Sequence, residues 1–103
     1  MRNGKRVIVI KIGSSTLVDK QGKLDRSYFE GLAKQVHELR EAGWSPLIVS
    51  SAAIACGLEA LGVTVRPSDM PSLQAAASVG QNALMATYAE AFSEYDILTS
   101  CVL

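Results

Sequence analysis

Arg6-Val7-Ile8-Val9-Ile10-Lys11-Ile12-Gly13-Ser14-Ser15 begins as a β-strand and ends as a loop. The run from Val7 to Ile10 is β-branched at every position and apolar at both parities, as in a strand of a parallel sheet buried between helices. A strand is therefore expected over residues 6–12, and Gly13, Ser14 and Ser15 break it. Lys11 interrupts the apolar run just before the break. Lysine is seldom buried without a partner. It reads equally as a strand-end lysine whose ammonium group reaches water or as a cation placed to meet a phosphate.

Working outward, residues 17–24 carry the turn signal Lys20-Gln21-Gly22 and are expected to form a short hairpin. A helix is expected over 27–42. Ser27 and Glu30 have capping-box spacing. Tyr28, Leu32, Val36 and Leu39 supply an apolar stripe, Glu30 and Lys34 stand one turn apart, and Gly43 is a stop signal. The lone histidine, His37, lies beside that stripe as a surface or boundary residue. Residues 46–50 form a second short apolar strand that runs into Ser50-Ser51-Ala52-Ala53. A helix follows to Leu61 and stops at Gly62. Residues 65–70 read as a loop. Pro71 suits the first turn of a long helix reaching Ser93, with Leu73, Ala77, Gly80, Leu84 and Tyr88 on one face. The small residues Ala75 to Gly80 let another element approach closely, either within the chain or from a second subunit. Residues 96–103 read as a third strand.

Strand, helix, strand, helix, helix, strand is the order of an α/β fold with a parallel sheet and right-handed crossovers. A final strand with no helix after it leaves apolar sheet surface open. The expectation is a part of a larger domain.

Composition narrows the function classes. Hydrophobic residues make up 49% of the 103 and charged residues 19%, which is a globular balance rather than a disordered one. Ten basic and ten acidic residues cancel, and no basic stripe with interleaved aromatics appears, so neither nucleic acid nor a membrane surface is an expected partner. The apolar run after Arg2, Lys5 and Arg6 is too short for a signal peptide. Cys56 and Cys101 have no metal or redox spacing, and read as reduced thiols of a cytoplasmic protein.

Ligands of open α/β sheets collect at the carboxyl ends of the strands. Two loops of small residues occupy that place: Lys11-Ile12-Gly13-Ser14-Ser15, and Ser50-Ser51-Ala52-Ala53 at a helix start. Free backbone N–H groups there would form an anion site. Gly13 reads as a turn or as a point of close approach, Ser14 and Ser15 as turn residues or phosphate donors, and Ser51 as a helix cap or a donor to a substrate carboxylate. There is no GxxxxGK[ST] loop and no GxGxxG fingerprint, and no elbow motif near a serine that would make His37 part of a hydrolase. The residues alone lead to an α/β domain with an anion pocket.

Val9-Ile10-Lys11-Ile12-Gly13-Ser14-Ser15 resembles the opening of the glutamate 5-kinases, within the amino acid kinase superfamily. Ile48-Val49-Ser50-Ser51-Ala52-Ala53-Ile54-Ala55 resembles their second loop. Gly57-Leu58-Glu59-Ala60-Leu61-Gly62 and Leu73-Gln74-Ala75-Ala76-Ala77-Ser78-Val79-Gly80-Gln81 follow in the family's order. Related kinases acting on acetylglutamate, carbamate or nucleotides carry a Gly-Gly pair where this chain has Gly13-Ser14.

The resemblance implies a three-layer sandwich with a mainly parallel sheet, of which residues 1–103 are the N-terminal portion. It also implies ATP-dependent phosphorylation of the L-glutamate side-chain carboxylate, the first step of proline biosynthesis. By position, Lys11, Gly13 and Ser14 would meet the ATP phosphates, with Lys11 on the transferring phosphoryl group. Ser51 and Ala52 would lie at the glutamate. Mg2+ would come with the nucleotide, no metal ligand is identified in the chain, and a homo-oligomer is implied. Ala52 stands where the family has glycine. That departure raises two expected costs, backbone strain and a methyl in the path of the phosphoryl group, and with them weakened activity. The family's aspartate-bearing segments, second lysine and adenine site are not among these residues. A non-catalytic remnant or assembly module is therefore the alternative.

Overall fold

The computed structural model describes residues 6–100. Strand β1 spans Arg6–Ile12, and β2 spans Trp44–Ser50. They pair in parallel, with Arg6 opposite Trp44 and Ile12 opposite Ser50. A parallel pair needs a long crossover, and helix α2, Arg26–Glu41, provides it. Before it come the four-residue helix α1, Ser14–Leu17, and an antiparallel bridge between Val18 and Leu24 that closes the expected hairpin. Asp19 shapes that turn by accepting hydrogen bonds from the N–H groups of Gln21 and Lys23. After β2 come helix α3, Ala53–Ala60, and the long helix α4, Met70–Ser93.

Helix α2 begins one residue earlier than the sequence suggests, because Asp25 rather than Ser27 is its cap. The Asp25 carboxylate accepts from the Tyr28 N–H at 3.3 Å and from the Ser27 hydroxyl at 2.8 Å. Those two bonds, the Ser27 hydroxyl first, hold its carboxyl below the usual range. Its buried stripe is Phe29, Leu32, Ala33 and Val36, an i, i+3, i+4, i+7 pattern, while Tyr28 and Leu39 are only half-buried. Glu30 and Lys34 form no ion pair; among the described residues the pair joins Arg26 of α2 to Glu90 of α4, both exposed and so of little energetic weight. Gly43 and Gly62, both with positive φ, end α2 and α3 as expected. Asp69 caps α4 through the Ser72 N–H, with Pro71 in the first turn.

Ile10 and Ile12 of β1 and Ile48 of β2 face the helices, against Leu17, Phe29, Leu32, Leu84, Tyr88 and Phe92. The other face of the sheet is open: Val7, Val9, Leu47 and Val49 are between 46% and 66% exposed. The expected α/β fold with a parallel sheet is present, but the described residues supply helices to one face only. The apolar run of β1 is therefore not buried on both sides here.

No strand follows α4 within the described residues. Asp96 takes a left-handed φ of 55°, and the Ile97 N–H returns to the Phe92 carbonyl at 3.2 Å. The chain thus folds back on the end of α4 instead of joining the sheet, and residues 101–103 of the expected strand lie outside the described residues. Tyr95 in this turn stacks on His37, ring centroids 4.8 Å apart, which places His37 at the boundary of the core.

The small residues of α4 are used within the chain. Helix α3 lies so close that a Cβ on Gly57 would overlap the Ala76 carbonyl, and one on Gly80 would overlap the Ala53 carbonyl. Both obstacles are backbone, so neither can swing aside. Gly80→Ala is expected to destabilise the fold by about 1–3 kcal/mol through overpacking. Gly31→Ala, on an open face of α2 with nothing within 4 Å, is expected to stabilise it by about 0.5–1 kcal/mol through helix propensity. Urea unfolding of the two variants checks this, and equal midpoints would contradict the close α3–α4 crossing.

Candidate functional site

The register of β1 and β2 builds the site. Because Ile12 is opposite Ser50, the residues that follow, Gly13 and Ser51, leave the sheet from adjacent positions at one end. Neighbouring strands lie about 4.8 Å apart, so the two loops expected from the sequence are side by side.

Lys11 is exposed and paired in register with Val49. The alternation of the strand puts its side chain on the open face, away from Ile10 and Ile12. Gly13 has φ −69° and ψ 152°, an extended conformation that any residue adopts, and a Cβ there would meet nothing within 4 Å. It is therefore not a glycine demanded by the turn or by packing; the space above it is free for a ligand. Its carbonyl accepts from the Thr16 N–H at 3.1 Å, starting α1 at Ser14. The first N–H groups of a helix have no partner inside it. Among the described residues, the hydroxyls of Ser14, Ser15 and Ser51 make no hydrogen bond.

Ser51 does not cap α3. The cap position belongs to Ala52, which has no side chain able to bond. Ser51 is exposed and free to donate. Ala52 is 0% exposed, with its methyl among the core side chains. Its φ of −85° is ordinary for alanine. Both costs expected of alanine here are therefore absent from this geometry: no positive φ has to be adopted, and the methyl faces the core instead of the loop surface.

Sequence reasoning missed Tyr88. It was placed on the buried face of α4, but its hydroxyl donates to Ser50 Oγ at 3.2 Å, at the end of β2. Burial raises its pKa, keeping it a donor. The signal was a polar tip on an otherwise apolar stripe.

The described residues contain no cluster of three or more His, Cys, Asp or Glu able to hold a metal. A hollow of about 440 Å3 between α2 and α4 is lined by Glu30, Glu90 and Glu94 with Arg26. Its charge suits no phosphate, and it contains none of the loop residues. No described helix is long and apolar enough to cross a membrane.

The model of the family described as "Amino acid kinase family" matches residues 6–102. The chain belongs to the amino acid kinase family. It is 48% identical to the glutamate 5-kinase of Geobacter sp. (strain M21) over 103 residues, covering all of this chain and 27% of that protein. It is 47% identical to the glutamate 5-kinase of Halalkalibacterium halodurans over 96 residues, 93% of this chain and 26% of that one. The enzyme of the same name from Thermobifida fusca is 42% identical over 98 residues. The chain spans about a quarter of the length of the curated relatives it matches. Within this family segment, the paired loops are the feature that both the sequence and the strand register single out.

Cys56 tests the packing directly under the second loop. It is buried in α3, and its N–H bonds to the Ala52 carbonyl at 3.0 Å. Burial first, and the charge of Glu59 second, push its thiol pKa up. In a Cys101→Ser background, alkylation by iodoacetamide at pH 8 is expected to be slow in the native protein and fast in urea. Equal rates would show that α3 does not pack as described.

Proposed function

We propose that this segment forms the phosphate- and glutamate-binding corner of an ATP-dependent glutamate 5-kinase, as the N-terminal portion of its kinase domain. The observation that carries the reading is the register that places Gly13 beside Ser51, with an exposed lysine on one strand and a free serine hydroxyl after the other. The relatives named glutamate 5-kinase support the choice of substrate.

In this reading Lys11 and the N–H groups of Gly13 and Ser14 hold the γ-phosphoryl group of ATP, and Ser51 donates to a glutamate carboxylate. An oxygen of the glutamate γ-carboxylate attacks the γ-phosphorus in line. The bond from that phosphorus to the bridging oxygen breaks, giving glutamyl 5-phosphate and ADP. A carboxylate is already ionised at neutral pH, so no base is needed. The work is to hold two anions together and neutralise their charge. Mg2+ supplies further neutralisation when it arrives with the nucleotide. With this function go proline biosynthesis, a cytoplasmic setting and a homo-oligomeric enzyme.

A non-catalytic assembly role is the second reading, favoured by the open apolar face of Val7, Val9, Leu47 and Val49. One experiment separates the two. This segment replaces the aligned residues of the Geobacter glutamate 5-kinase, and glutamate-dependent ADP formation is followed in the chimera. The proposal expects turnover, and a loss of about a hundredfold or more in kcat on Lys11→Ala, as for removal of an oxyanion-type donor. A folded chimera without turnover, or one indifferent to Lys11→Ala, would contradict it.

A further inference from the structure

The geometry points to Tyr88 as a positioning residue for the substrate loop: from α4 its hydroxyl holds Ser50, and through Ser50 the neighbouring Ser51, in the place where glutamate is bound. The inference rests on the assignment of Ser51 to glutamate proposed above.

The tyrosine ring has little freedom. It is buried, with Phe29 edge-on at 4.9 Å between centroids and Phe92 edge-on at 5.8 Å. Phe29 comes from the crossover helix and Phe92 from α4 itself, so the ring is held from two elements. Edge-to-face contacts of this kind favour one orientation. The hydroxyl at the end of that ring therefore marks a fixed point, 3.2 Å from Ser50 Oγ.

The loop it meets has few other ties. Among the described residues, the bond from Tyr88 is the one side-chain hydrogen bond made by Ser50, Ser51 or Ala52. Ser50 is the last residue of β2, and the Ala52 carbonyl already begins the α3 hydrogen-bond series. Between these two anchors only Ser51 is exposed. Its position depends on where Ser50 ends and Ala52 begins. The pairing with Ile12 sets the Ser50 backbone and Tyr88 ties its side chain, while the buried Ala52 secures the second. A loop positioned from a rigid helix binds an anion with less ordering cost than one that must be fixed by the ligand.

Tyr88 touches no substrate in this account. Its removal should loosen the glutamate site and leave the ATP site, on β1, untouched. The test compares Tyr88→Phe, Ser50→Ala, their double variant and Ser51→Ala in the chimera described above. Each single variant of the Tyr88–Ser50 pair is expected to raise the KM for glutamate by about 3- to 10-fold, the worth of one net hydrogen bond. The KM for ATP is expected to stay unchanged. Because both variants remove the same bond, the double variant should be no worse than the poorer single one. Ser50→Ala leaves the aromatic cluster intact, so it keeps the test open if Tyr88→Phe folds poorly. If Ser51→Ala raises the glutamate KM while Tyr88→Phe and Ser50→Ala do not, the positioning role is wrong and the glutamate site stands. If Ser51→Ala also has no effect, the glutamate assignment falls and this inference falls with it. Equal rises in both KM values, together with a lowered Tm, would reduce Tyr88 to a structural residue and overturn the proposal.

Discussion

The parallel pairing of β1 with β2, in the register that sets Ile12 against Ser50, is the constraint on which the other features depend. Parallel strands cannot be joined by a tight turn. The pairing therefore requires the α1–α2 crossover, and the crossover brings Phe29, Leu32, Ala33 and Val36 onto the sheet. The same pairing sends both strands out at one end. A shift of one residue would turn Ile48 toward solvent and Val49 inward, and would separate Gly13 from Ser51. Fold and candidate site are thus two consequences of a single register.

Helix α4 fixes the other half of the arrangement. Gly57 and Gly80 let α3 and α4 approach until backbone meets backbone, which sets where α3 starts and so where Ala52 lies. Further along α4, Leu84, Tyr88 and Phe92 enter the core. One helix therefore supports the second loop from both sides, through α3 and through the Tyr88 hydroxyl. The opposite face of the sheet receives no such support from the described residues, and Val7, Val9, Leu47 and Val49 remain exposed there.

The parts of this arrangement legible in the sequence were those with strong local signals. Residues 6–12 form the expected strand with the expected bounds, because a β-branched run ended by Gly13 has few other conformations. Gly43, Gly62 and Pro71 marked helix ends for equally local reasons. The errors arose where two neighbouring groups compete or where the outcome depends on distant packing. Asp25 and Ser27 both offer a capping oxygen, and only the backbone path decides that Asp25 takes the helix N–H. An apolar strand does not state whether one face or both will be covered. Residues 97–100 look extended, but they follow a left-handed turn at Asp96 and pair with no strand among the described residues. Of the candidate site, Lys11 was legible near the end of a strand, and Gly13, Ser14 and Ser51 as the residues that leave the strand ends. The inward methyl of Ala52 and the reach of Tyr88 to Ser50 were not, since both depend on how α3 and α4 cross.

The central claim is that the two adjacent loops form one anion-binding corner. It is tested most directly by a crystal structure of the chimera with glutamate and a non-hydrolysable ATP analogue. The account predicts the terminal phosphate within hydrogen-bond distance of Lys11 Nζ and the Gly13 and Ser14 N–H groups, and a glutamate carboxylate on Ser51 Oγ. Phosphate and glutamate bound away from these loops, with Lys11 and Ser51 still in water, would contradict it.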